Sequence, residues 1–160
     1  MNSEGGAFAV VPDEAPDPAP ACGRVGWIDL CGDKYDSHHV YRSHLQFNTG
    51  SIPAGAQVIS ASMTWTSDGD SPRVTLYLPL QMWNGEPLSL FSLPVKKLDP
   101  NSPKKEILQA VLSWRESPKY NYGIVVTGSD ESMDCQGNWH AWKICDIKIE
   151  GEMMVSEAVD

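Results

Sequence analysis

The side chains able to do chemistry fall into four groups. Three histidines, His38, His39 and His44, lie close to Asp36, with His140 far away in sequence. Imidazoles beside a carboxylate are a donor set for a transition metal. The competing reading is a solvated polar face, since on a strand His44 shares a side with Arg42 and not with Leu45. Acidic residues form the second group: Asp29, Asp33 and Asp36 in a glycine-containing segment, Asp68-Gly-Asp70, and a third loop of Asp130, Glu131 and Asp134. Calcium takes several oxygen ligands, so Asp29, Asp33 and Asp36 are the candidate calcium residues. The Asp-Gly-Asp pattern lacks the full ligand spacing of an EF-hand loop, and each of the three segments reads first as an ordinary acidic turn.

The third group is aromatic. Trp27, Trp83, Trp139 and Trp142 invite a sugar-binding reading, in which exposed rings stack on pyranose faces. Trp83 and Trp139 fall in predicted loops, where ligand contacts concentrate, and are the candidate glycan residues. Large aromatics also fill cores and subunit interfaces. The fourth group is Cys22, Cys31, Cys135 and Cys145. Without a C-x-x-C pair they resemble no zinc motif. Four cysteines allow three disulfide pairings, and free buried thiols stand beside them as the alternative. No G-x-S-x-G, P-loop or H-E-x-x-H occurs. Paired carboxylates could still serve glycoside hydrolysis, but nothing in the sequence selects a pair.

The elements that must position these groups follow from apolar spacing. Leu45 and Phe47 alternate with polar residues; after the turn Ser51-Ile-Pro-Ala-Gly55, Ile59, Ala61, Met63 and Trp65 alternate again. Two period-2 runs flanking a turn predict two half-buried antiparallel strands, with Gly55 free to take a positive φ. Further strands are expected at Val25–Leu30, at Tyr41–Phe47, at Arg73–Leu80 with Val74, Leu76, Leu78 and Leu80 on one face, and at Tyr122–Thr127. Pro79 marks a strand end or an edge. In the stretch from Trp142 to Ile149, Trp142 and Ile144 keep one phase and Ile147 and Ile149 the other. That change predicts a bulge near Cys145-Asp146. Gly151 is expected to separate a last strand around Met153 to Val155.

One helix is expected. Ser102 can cap it, Pro103 suits its first position, and Ile107, Leu108, Val111 and Trp114 share a face before Pro118 stops it. Trp83 to Pro103 reads as a long connection with one short strand. The fold class expected is all-β, an antiparallel, jelly-roll-like β-sandwich with one short helix and an extended N-terminal arm.

The arm is residues 1–21, preceding a sandwich domain of residues 22–160. Pro12, Pro16, Pro18 and Pro20 alternate with small and acidic residues, a composition that stays extended and cannot fold alone. Its apolar patch holds Phe8, Val10 and Val11, the candidate partner-binding residues, which would dock on a neighbouring subunit.

Several pieces together resemble the DNRLRE-type jelly-roll domain. Arg42-Ser-His-Leu-Gln-Phe-Asn and the following Ser51-Ile-Pro-Ala-Gly-Ala-Gln-Val-Ile-Ser-Ala-Ser-Met are similar to that family's strand, turn and next strand. Ile107 to Trp114, followed by Asn121-Tyr-Gly-Ile-Val-Val, is similar to its helix and the strand after it. The pieces keep their order over residues 25–156, while Trp83 to Pro103 departs from the pattern. The resemblance implies a non-enzymatic module of secreted and cell-surface proteins.

Charge narrows the partners. The 160 residues carry a formal charge of -9 and a pI of about 4.8. Such a chain is a poor ligand for nucleic-acid phosphates and for an anionic membrane surface. No apolar run has the length of a membrane span, and no basic stretch followed by an apolar one marks a signal peptide. The expectation is a non-enzymatic structural or decoration subunit of an extracellular particle such as a phage virion, whose partners are protein subunits. A carbohydrate-binding or adhesion module is the alternative, and a hydrolase a third.

Overall fold

The computed structural model describes residues 3–13, 22–30, 37–67, 74–82, 95–98, 103–128 and 139–156. It is an all-β, sandwich-like domain of two antiparallel sheets with one helix. The strands are β1 (Ser3–Val10), β2 (Gly23–Leu30), β3 (Ser37–Leu45), β4 (Ala56–Val58), β5 (Ser62–Ser67), β6 (Val74–Pro79), β7 (Val95–Lys97), β8 (Ile124–Gly128) and β9 (Trp139–Ser156). The helix is α1 (Pro103–Glu116).

The long strand β9 is the spine of the first sheet. Along one edge it pairs β2 through residues 139–144 and β1 through residues 149–156, so these two strands lie end to end. Along the other edge it pairs β5 and then β4, again end to end. The sheets share β3. Its residues 37–41 pair β2, whereas Arg42 to Leu45 pair β8, which passes the ladder on to β6 and β7. β8 has the continuous apolar run expected of a strand enclosed on both faces, and all five of its residues are buried.

The bulge expected near Cys145-Asp146 is present. Thr64 faces Lys148 and Thr66 faces Cys145, so two residues of β9 oppose Trp65 alone. Asp146 takes a φ of 52°, and the extra residue lets Ile144, Ile147 and Ile149 all enter the core. Gly151 does not divide two strands: β9 runs through it without a break. A side chain there would collide with the carbonyl oxygen of Ser60, so glycine is needed for that close approach.

Three further expectations give way. The amides of Ile59 and Ser60 both donate to the carbonyl of Glu152, at 2.9 and 3.3 Å. This irregularity shifts the phase, so Ile59 is exposed while Val58 and Ala61 are buried. Leu80 lies beyond the end of β6 and is 59% exposed, although Val74, Leu76 and Leu78 pack against the core. Gly55 keeps a negative φ; the turn closes through the amide of Ala56 and the carbonyl of Pro53, 3.0 Å apart.

Helix α1 begins at Pro103, and Ser102, expected to cap it, lies outside the described residues. Its buried face is Ile107, Ala110, Val111 and Trp114, with Leu108 half-buried. It packs on β5 and on the 3-10 turn Thr49–Ser51, placing the Trp114 ring parallel to Phe47 with centroids 6.4 Å apart. The short strand expected between Trp83 and Pro103 is β7.

Candidate functional site

The stretch read as an extended arm is built into the sheet. Residues Ser3–Val10 form β1, each in register with β9, from Ser3 opposite Ser156 to Val10 opposite Ile149. The alternation of Ala7-Phe-Ala-Val10 sorts its side chains. Phe8 and Val10 are buried in the domain's own core, while Ala7, Ala9 and Val11 face solvent, Val11 at 55%. Beyond β1 the chain is pinned twice more. Pro12 forms a bridge with Phe47, and the amide of Asp13 donates to the carbonyl of Gln46 at 2.8 Å.

A covalent bond closes this seat. Cys22 is disulfide-bonded to Cys145, selecting the pairing that the sequence left open for these two residues. Gly23 faces Ile144, so the bonded pair continues the β2–β9 ladder by one register step. On the other side of β9, Thr66 donates its hydroxyl to the carbonyl of Cys145 at 3.2 Å. Cys31 and Cys135 lie outside the described residues.

A second cluster locks the pieces that carried the family resemblance. The His44 imidazole Nε2 lies 2.7 Å from the carbonyl of Tyr122. Gln46 donates its side-chain amide to the carbonyl of Asn121 at 2.9 Å. Asn121 donates to the carbonyl of Phe47 and accepts from the amide of Gly123 at 3.1 Å, closing the turn through its side chain. Gly123 has a φ of +80°, and a side chain there would strike the carbonyl of Leu45. His44 is therefore a half-buried, hydrogen-bonded residue, not part of a solvated face.

Arg115, which the sequence reading passed over, ties α1 to the Pro53–Ala56 turn. Its Nη2 donates to the carbonyls of Pro53 and Ala56 at 3.1 and 2.9 Å. The other terminal nitrogen, Nη1, is buried with no partner among the described residues. The signal was available only in part: a basic residue in the last helical turn is common, but its distant acceptors are backbone carbonyls that no side-chain pattern announces.

The remaining candidates lie on β2, β3 and β9 or outside the described residues. Asp29 lies on β2 in register with His38, while Asp33 and Asp36, the other candidate calcium residues, fall outside the described residues. His39 stands opposite Ile28, and His140 opposite Trp27. Trp139 belongs to β9, not to a loop, in register with Ile28. Trp83 lies outside the described residues, as do the acidic segments at Asp68–Asp70 and Asp130–Asp134. Among the described residues, no three His, Cys, Asp or Glu side chains gather to hold a metal ion. No helix among them is long and apolar enough to cross a membrane.

What the arrangement can do is hold a strand. Backbone pairing along β9 supplies affinity and register, and Phe8 and Val10 supply apolar anchors at alternate positions, the chemistry of strand addition. Compared with known protein families, with curated proteins and with solved structures, the chain matches none.

Proposed function

We propose that this chain is a non-enzymatic structural or decoration subunit on the outside of an extracellular particle such as a phage virion. The observation that carries the reading is the β1 seat, a strand with two buried anchors joined to the domain by a proline-rich connection. Strand-in-seat contacts are a means by which subunits hold one another. The Cys22–Cys145 disulfide supports a site outside a reducing cytosol. An acidic, soluble surface is in keeping with a protein displayed to water.

The finer family reading, a DNRLRE-type jelly roll, belongs to the same proposal. Its support is spatial: the pieces of the resemblance meet where His44, Gln46 and Phe47 bond the Asn121–Gly123 turn and where Trp114 stacks on Phe47. Antibody labelling of the extracellular fraction, viewed by electron microscopy, tests the function. Label on particles is the expected result; label confined to cells, or turnover of glycoside or ester substrates by the purified chain, would overturn it.

A further inference from the structure

We infer that β1 is an exchangeable strand, which in the assembly seats on the β9 of a second copy of this chain. The inference rests on the structural-subunit reading above and names how its subunits join.

Three observations carry it. First, the occupant of the seat is known. β1 itself fills it, through eight register pairs to β9 and two buried side chains, and every copy of the chain carries the same strand. The contacts made within a chain and between chains would be identical, so exchange costs nothing in contact energy.

Second, the connection is far longer than its task. Asp13 is held at Gln46, and Gly23 lies against Ser43, three residues away from Gln46 along the chain. Three residues of extended chain span about 10 Å, whereas the connecting residues 14–21 can reach about 30 Å. They carry three prolines, Pro16, Pro18 and Pro20. Proline-rich sequence favours an extended backbone over a compact return. Its composition thus suits a span to a neighbour better than a short closure.

Third, the disulfide sets a boundary. Cys22 is bonded to its own β9 immediately before β2, so β2 cannot follow the connection outward. The exchanged unit is everything upstream: β1 with Phe8 and Val10, and the pins at Pro12 and Asp13. The sandwich stays closed while that unit changes partner.

Ala7 and Glu152 are register partners, and both are exposed, which gives a direct test in the full chain. The double variant Ala7→Cys/Glu152→Cys reports pairing within a chain. A mixture of the Ala7→Cys chain and the Glu152→Cys chain, concentrated together or refolded together with the native disulfide intact, reports pairing between chains. The expected result is a covalent heterodimer on a non-reducing gel, absent from the unmodified chain and from either variant alone.

No heterodimer, while the double variant closes internally, would overturn exchange. Failure of the double variant to crosslink positions 7 and 152 at all, within or between chains, would overturn it too, by removing the seat. Sedimentation of the unmodified chain separates the two levels. A multimer without heterodimer leaves the subunit reading standing and removes exchange; a monomer at every concentration without heterodimer removes both.

Discussion

Cys22 and Cys145 stand one register step beyond Gly23 and Ile144, so their disulfide extends a strand ladder that is already formed. The bond joins residues 123 positions apart and lies between the β1 seat and the β2 pairing on the same edge of β9. It therefore restricts the unfolded chain strongly while adding no new contact between distant surfaces.

Removing that bond should lower stability without changing the fold. The Cys22→Ser/Cys145→Ser variant is expected to lose about 2–4 kcal/mol, the usual range for a long closed loop. Urea denaturation of variant and parent checks it, with peptide mapping under non-reducing conditions to establish the bond. Unchanged denaturation midpoints would contradict the role given to the disulfide.

Gly123→Ala should be costly despite the small size of the change. The residue combines a positive φ with close approach to the carbonyl of Leu45, so neither the backbone nor the space admits a side chain. A loss of roughly 1–3 kcal/mol is expected. The same substitution at Gly55, which has open space around it and a negative φ, should cost little. Thermal melts of the two variants side by side give the comparison.

Arg115→Met keeps much of the side chain's apolar length but removes the guanidinium bonds to the carbonyls of Ala56 and of Pro53, the latter still accepting from the Ala56 amide. Loss of hydrogen bonds from a charged donor should cost about 1–3 kcal/mol, reduced by relief of the unpartnered Nη1. Hydrogen exchange should show the effect at the Ala56 amide, which closes the turn that Arg115 holds. A loss spread evenly over the domain would argue against a local tie.

Phe8→Ser should release β1 and little else. The residue is buried on a strand that, among the described residues, pairs along its length with β9 only, so its loss weakens a peripheral unit rather than the central ladder. Hydrogen exchange of residues 3–10 should accelerate at least about tenfold while β8 keeps its protection, the pattern of local opening. Equal loss in β1 and β8 would show that β1 is integral to global stability.

Much of the architecture was legible before any coordinates. Alternation at Leu45 and Phe47, the apolar face of α1 and the phase change between Ile144 and Ile147 are local signals. Side-chain periodicity reports which face of an element meets the core, so strand and helix assignments followed from it. The same logic failed at Ile59, where two amides share the carbonyl of Glu152 and the phase slips, and at Gly151, where an approaching backbone and not a strand end explains the glycine. Both depend on a partner more than ninety residues away.

By itself, the sequence determined most of the strands, the helix and the acidic charge, because propensity, charge and period are properties of neighbours along the chain. Only the tertiary structure decided which cysteine meets Cys22, that Phe8 and Val10 enter a core slot beside β9, and that Arg115 holds the Pro53–Ala56 turn. Those outcomes are set by register across long sequence separations, where many pairings satisfy the same local pattern and only packing of the whole chain chooses among them.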